Sequence, residues 1–138
     1  MQFRLTKDDS ADIGFALTCL AQRCIHFSEF KDWIYYVIEH TDAPPAYLFD
    51  MLDVARLIDF KPLQIMGWHS DCDLSDQDFD ALSGIAFLRN IIASEDRISR
   101  DAAIATLRAN DDLYAKVKAF FPFIDFEVPV GPDPDQGW

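Results

Sequence analysis

The segment from residue 69 to residue 80, HSDCDLSDQDFD, holds the densest group of side chains that could do chemistry. Its closely spaced carboxylates are reminiscent of a calcium-binding loop, because calcium prefers oxygen ligands. Such a loop needs Gly at its sharp turn and a bidentate Glu at its last position. Here Asp76 stands at the turn and Leu82 at the last position. The spacing therefore argues against a calcium site.

The same segment can instead act through its charge. No Lys or Arg occurs between Lys61 and Arg89, so the five Asp residues create a local negative field. Two interpretations remain open: a solvated loop whose acids favour the positive end of the following helix, or an electronegative patch that attracts a basic partner. Trp68 flanks the segment and is the kind of aromatic residue found at interface hot spots. The candidate partner-binding residues are Trp68, Asp71, Asp73, Asp78 and Asp80. Residues 75–78 resemble a capping box that starts at Ser75 and has Asp at its fourth position, and Asp76 is also considered as a cap. Ser99 is expected to cap the next helix.

Cysteine and histidine residues form two further groupings that could bind a metal or act as a nucleophile. Cys19, Cys24 and His26 form the pattern C-x4-C-x-H, but a zinc site also needs a second ligand pair elsewhere in the chain. On a helix, five residues also turn the chain by about 140°, so the two thiols would not converge. His69 and Cys72 are neighbours in sequence, but a nucleophile and its base must meet in space. Motifs for phosphate binding, dinucleotide binding, serine hydrolysis and zinc proteolysis do not occur. We assign no catalytic residue, no metal site and no cofactor.

The charge of the whole chain restricts its partners. The sequence has 24 acidic and 12 basic residues, a net charge of −12 at pH 7. The phosphates of nucleic acids and of anionic membranes would repel such a chain. The three cysteines are an odd number and two lie in an apolar stretch, so no disulfide framework is expected. No apolar leader and no apolar run of about 18 residues occurs. We predict a cytoplasmic protein that binds neither nucleic acid nor membrane.

Helices are expected to position these residues. An apolar share of 50%, with 12 Phe, predicts a packed core. Six segments combine a capping residue or Pro with apolar side chains at helical spacing, at about residues 10–25, 28–40, 45–58, 75–94, 99–109 and 111–122. Asn110 is expected to end the fifth of these helices in a left-handed conformation. Weak alternation in residues 1–7 and 63–68 leaves room for one short β element.

The predicted fold is therefore all-α: a single-domain bundle of about six helices over residues 1–122. Residues 123–138 form an irregular, acidic tail, since four Pro residues within the stretch 122–138 prevent a helix. This tail is expected to dock on the domain. The tail residues expected to cover part of the helical core are Phe123, Ile124, Phe126, Val128 and Trp138.

Two stretches of the sequence also resemble a known class of proteins. One is Phe30-x-x-Trp33 followed by residues 42–50, DAPPAYLFD; the other is residues 82–89, LSGIAFLR, followed by Ile98 and Asp111. They are similar to small helical bacterial immunity proteins, which are encoded beside polymorphic or contact-dependent growth-inhibition toxins. The resemblance implies a cytoplasmic protein that binds one toxin domain and has no catalytic residues of its own. It carries over no binding residue.

Two classes of function follow from these observations. The first is an acidic interaction protein, an immunity protein that binds and neutralises a cognate toxin, with a basic nuclease as the expected partner. The second is a small enzyme or ligand-binding protein with an Asp- and His-lined pocket. An intracellular regulator that contacts a larger complex is a third option. We favour the first, and therefore predict that the protein is not an enzyme.

Overall fold

The computed structural model describes residues 2–92 and 94–134 of the chain. These residues form seven α-helices and one short 3-10 helix, Leu57–Asp59. The α-helices are α1 (Ala11–Ala21), α2 (Phe27–Glu39), α3 (Ala46–Leu52), α4 (Pro62–Met66), α5 (Asp76–Leu88), α6 (Arg100–Arg108) and α7 (Asp111–Phe120). Within the described part, strand-type pairing is limited to one isolated bridge between Thr6 and Asp9. The prediction of an all-α fold is confirmed.

The described residues divide into two compact units. Unit 1 comprises residues 2–18, 27–73 and Pro134, and unit 2 comprises residues 19–26 and 74–133. Helices α2, α3 and α4 belong to unit 1, helices α5, α6 and α7 belong to unit 2, and α1 contributes residues to both. The division into a helical domain over residues 1–122 and a tail over residues 123–138 stays a prediction.

An aromatic cluster fills unit 1. Helix α2 buries one face, because its apolar residues recur at helical spacing. The buried residues of this face are Phe27, Phe30, Trp33, Ile34 and Val37. The ring of Phe60 lies 5.2 Å from that of Phe27 and 5.5 Å from that of Phe30, so the chain after the 3-10 helix packs on α2. Each large side chain removed from water contributes roughly 1.5–3 kcal/mol.

The stretch considered for a short strand is helical. Pro62 occupies the first turn of α4, where its missing N–H needs no partner. Gly67 ends the helix with a φ of 83°, and its N–H donates to the carbonyl of Leu63. Pro at the start and Gly just past the end are the ordinary signals of a helix. Residues 63–66 therefore belong to α4 rather than to a strand.

Unit 2 is built on the close packing of α5 against α6. A Cβ on Gly84 would lie 2.5 Å from the carbonyl oxygen of Ala103 and 2.9 Å from the Cβ of Leu107, so only Gly permits this approach. Ser75 caps the N-terminus of α5. Ser99 caps the N-terminus of α6, where its hydroxyl accepts the N–H of Ala102. Both N-caps are residues that the sequence predicts.

Four predictions about helix ends differ from the structure. Helix α1 ends at Ala21 rather than near residue 25, and Arg23 just beyond it adopts a φ of 67°. Helix α5 ends at Leu88 rather than near residue 94, because Asn90 adopts a φ of 60° and the N–H of Ile91 returns to the carbonyl of Ala86. Helix α3 ends at Leu52 rather than near residue 58. The prediction that Asn110 ends α6 in a left-handed conformation is wrong. Its φ is −130°, and its side chain caps α7 instead.

Buried Arg89 organises the chain that follows α7. The side chain of Arg89 is 1% exposed, and its Nη1 donates to the carbonyl of Cys24 at 2.8 Å. Its guanidinium lies 5.1 Å from the ring centre of Phe126. The carbonyl of Arg89 accepts the N–H groups of Val130 and Gly131 at 2.9 and 3.0 Å. Arg89 thus helps to hold residues 126–131 on unit 2, together with His26, whose Nε2 lies 2.8 Å from the carbonyl of Gly131, and Lys118, which pairs with Glu127.

The apolar residues of the predicted tail differ in burial. Phe126 is buried and Ile124 is half-buried, whereas Phe123 and Val128 are exposed. Those two side chains therefore do not cover the core as expected. Trp138 lies outside the described residues.

Candidate functional site

The first half of the predicted patch belongs to unit 1, where α1 and the residue before it position the acidic loop. Ser10, Gly14 and Thr18 are four residues apart and so share one helical face. The Oγ of Ser10 accepts the N–H of Asp71 at 2.8 Å. A Cβ on Gly14 would overlap the carbonyl oxygen of Asp71, and Oγ1 of Thr18 lies 3.3 Å from Sγ of Cys72. The backbone of the loop is thus fixed while the carboxylate of Asp71 is exposed.

Trp68 is packed rather than projecting freely. Its ring meets that of Tyr47 edge to face at 5.8 Å, and it is half-buried. The hydroxyl of Tyr47 in turn donates to the carbonyl of Leu5 at 2.6 Å. Burial raises the pKa of Tyr47, which keeps the hydroxyl protonated and able to donate. Trp68 therefore supports the structure of unit 1 as well as presenting part of its ring to solvent.

The second half of the predicted patch belongs to unit 2, where Asp78 has a structural role. Its carboxylate accepts the N–H of Ser75 at 3.0 Å, while its own N–H donates to the Oγ of Ser75 at 3.1 Å. The side-chain amide of Asn110 donates to the same carboxylate at 2.8 Å. The backbone hydrogen bond from Ser75 holds the pKa of Asp78 below its ordinary value. This reciprocal arrangement is a capping box that fixes the start of α5.

Asp80 is also engaged. Its carboxylate accepts a hydrogen bond from Nη1 of Arg97 at 2.6 Å, and Nη2 of the same Arg donates to the Oγ of Ser83. The structure thus supplies a base that the local sequence lacks. Because the ion pair is partly exposed, it adds little stability, but it offsets the charge of Asp80.

The five predicted residues therefore play different roles. Trp68, Asp71 and Asp73 lie in unit 1, and Asp78 and Asp80 lie in unit 2. The capping acid is Asp78 rather than Asp76, which is exposed on the first turn of α5. Asp71, Asp73 and Asp76 have exposed carboxylates with no hydrogen-bond or ionic partner among the residues that the structure describes.

Unit 1 carries exposed apolar side chains that were not predicted from the sequence. Four large apolar side chains are 46–62% exposed there: Tyr35, Phe49, Ile58 and Leu63. Ile58 is the last residue of the third predicted helix, 45–58, but the observed helix ends at Leu52. Tyr35 was detectable in principle, because its position on α2 lies away from the buried face.

Charge accumulates around Tyr35. Asp32 and Glu39 are exposed and lie one turn before and one turn after it on the same face of α2. Burial, followed by the repulsion of neighbouring Glu29, raises the pKa of Asp32. The acids of α2 therefore stand close enough to disfavour one another's charge.

One cavity of unit 1 combines a histidine with a carboxylate. It has a volume of about 460 Å³ and is lined in part by Phe3, His40, Thr41 and Asp42. Nδ1 of His40 lies 2.8 Å from the carbonyl of Tyr36, which orients the ring. The cavity is the kind of place that a small ligand could occupy.

In the described part of the chain, the cysteines do not form a metal centre with His, Asp or Glu side chains. Cys19 and Cys24 are buried, and the thiol of Cys24 donates to the carbonyl of Leu82 at 3.2 Å. Within residues 2–92 and 94–134, no group of three or more His, Cys, Asp or Glu side chains is placed to hold a metal ion.

Each helix in the same ranges is too short or too polar to cross a membrane.

Comparisons of the chain with protein-family models, with curated proteins and with solved structures give no match.

Proposed function

We propose that this chain is an interaction protein that binds a basic partner, and that it acts as an immunity protein by occupying a bacterial toxin domain. The observation that carries the proposal is the exposure of large apolar side chains among acids in unit 1. Aromatic residues are enriched at protein interfaces, whereas a monomer seldom leaves several large ones exposed together. Tyr35 and Phe49, about half exposed, are of this kind.

The charge of unit 1 indicates the sign of the partner. In its described part, 12 acidic residues accompany five basic ones. Two of these bases, Arg4 and Arg56, are already paired with Asp9 and Asp59. A basic partner would be attracted over a distance of about a Debye length, which raises the association rate. The apolar side chains buried on contact would then slow dissociation.

The resemblance of residues 30–50 and 82–89 to immunity proteins favours a toxin as the partner. A nuclease toxin needs a basic surface to bind phosphates. An acidic protein that covers this surface would block substrate binding without any catalytic residue of its own. Inhibition by occupation therefore fits both the charge and the exposed side chains.

Because immunity proteins are encoded beside their toxins, the proposal predicts a toxin domain in an adjacent gene, and the test is co-expression with that domain. We expect the chain to restore growth of cells that express this domain, and to form a complex with it that survives size-exclusion chromatography at micromolar concentration. Continued growth arrest, together with separate elution of the two proteins, would overturn the proposal.

A second candidate is a small-ligand protein or enzyme that uses the cavity beside His40 and Asp42. The volume of about 460 Å³ and the presence of an imidazole and a carboxylate in the lining favour it. A screen of small phosphorylated and carboxylated metabolites by thermal shift tests this candidate. A compound that raises the melting temperature of the wild-type protein, but not of His40→Ala, would support it.

A further inference from the structure

We infer that the basic partner docks on the outward side of α2 and α3, rather than on the acidic segment of residues 68–80. This inference rests on the proposed function. We call the surface the α2–α3 face; its residues are Asp32, Tyr35, Glu39, Phe49, Asp50 and Asp53.

The contribution of α2 is a stripe of acid, aromatic and acid. Asp32, Tyr35 and Glu39 are spaced by three and four residues, so they project from one side of the helix. All three are exposed, and the opposite side of α2 is buried. The one base on α2, Lys31, lies 4.7 Å from the ring centre of Phe27, on the edge of the buried face. The stripe therefore presents a ring flanked by two negative charges.

Helix α3 and its C-cap residue Asp53 contribute a second aromatic ring and two more acids. Phe49, Asp50 and Asp53 are exposed, while Leu48 and Met51 are buried beneath them. Helix α3 packs directly against α2, so the two stripes belong to neighbouring elements of unit 1. Together they offer two aromatic rings and four carboxylates on consecutive helices.

The chemistry of this surface selects a basic protein as its occupant. A second copy of the chain would bring the same negative charge and be repelled, and nucleic acid would be repelled by its phosphates. The carboxylates suit Lys and Arg side chains, whose aliphatic stems can pack on the rings while their charged ends reach the acids. A partner cation would also relieve the repulsion between Asp32 and Glu29. A partner cation would relieve no comparable repulsion at Asp78 or Asp80, because these acids already have partners.

Two pairs of charge reversals test the location. Asp32→Lys with Glu39→Lys alters the α2–α3 face, and Asp71→Lys with Asp73→Lys alters the acidic segment by the same net charge. Each of these four side chains is exposed in unit 1. Affinity for the purified adjacent-gene toxin domain is measured by surface plasmon resonance, and circular dichroism checks that each variant is folded. We expect the first pair to weaken binding at least about tenfold more than the second.

A third comparison isolates the aromatic contact from the charge. Tyr35→Ala is expected to raise the dissociation rate about tenfold or more. The matched control is Val128→Ala in unit 2, a side chain that is 50% exposed, and it should leave this rate unchanged within about twofold.

The outcomes separate this inference from the proposed function. If wild type binds and the α2 variants bind as tightly as the Asp71 and Asp73 variants, the location is wrong while the function stands. If wild type itself fails to bind the toxin domain, the proposed function is overturned and the docking surface with it. Selective loss of binding in the α2 variants supports both.

Discussion

At the scale of single residues, Asp78 joins two helices of unit 2. Its carboxylate closes the capping box of α5 and accepts the amide of Asn110, whose Oδ1 in turn caps α7 by accepting the N–H of Leu113. An acid in this position stabilises the protein most when it is ionised, because both oxygens of the carboxylate then accept hydrogen bonds. Its role is therefore linked to pH.

We predict that Asp78→Asn destabilises the protein by about 1 kcal/mol near neutral pH, the usual cost of a lost cap. Because the pKa of Asp78 is lowered in the folded state, its contribution is complete above the ordinary carboxyl pKa and is lost as the pH falls through the lowered value. The difference between wild type and variant should therefore shrink in acid. Urea denaturation at a series of pH values measures it.

The matched control is Asp76→Asn, which neutralises an exposed acid on the same turn. It should lower the free energy of unfolding by less than half as much as Asp78→Asn, since only the favourable interaction with the helix dipole is removed. Equal losses for the two variants would show that the capping box does not matter.

At the scale of elements, small residues decide where segments meet. Gly14 allows the backbone at Asp71 to lie against α1, and Gly84 allows α6 to lie against α5. In an ordinary helix, replacing Gly with Ala stabilises by roughly 0.5–1 kcal/mol. At these two positions the added methyl group would meet backbone atoms, which cannot move aside as a flexible side chain can.

We predict that Gly14→Ala lowers the melting temperature by several degrees, because the clash displaces Asp71 and its hydrogen bond to Ser10. Overpacking of this kind costs about 1–3 kcal/mol. Thermal unfolding followed by circular dichroism tests the sign, with Ser28→Ala on an exposed position of α2 as a control. A higher melting temperature for Gly14→Ala would mean that the loop is not held on α1.

The same elements show which features of the structure could be predicted from the sequence. The N-caps at Ser75 and Ser99 were predictable, because capping is local chemistry. The end of α5 was missed, since Ile91 and Ile92 continue the apolar spacing while a left-handed Asn90 stops the helix. Local sequence could not reveal that Arg97 approaches Asp80, which lies 17 residues earlier. The pairing of Asp80 was missed for this reason, whereas Asp78 is bonded both by neighbouring Ser75 and by distant Asn110.

At the scale of the whole molecule, the net charge of −12 opposes folding, because like charges are brought closer together in the compact state. Dissolved salt screens this repulsion. A few exposed ion pairs stabilise the folded state instead, among them Arg97 with Asp80 and Lys118 with Glu127. Exposed pairs are individually weak, so the repulsion should dominate.

We therefore predict that the melting temperature rises by about 3 °C or more between about 20 mM and about 300 mM NaCl. The double variant Asp71→Lys with Asp73→Lys is the matched control, because it reduces the net charge without removing a side-chain hydrogen bond. It should melt higher than wild type at low salt and respond less to added NaCl. A melting temperature that falls as NaCl is added would show that ion pairs outweigh the repulsion. In that case the excess of acids would be locally compensated in the folded chain, and long-range attraction of a basic partner would weaken in proportion.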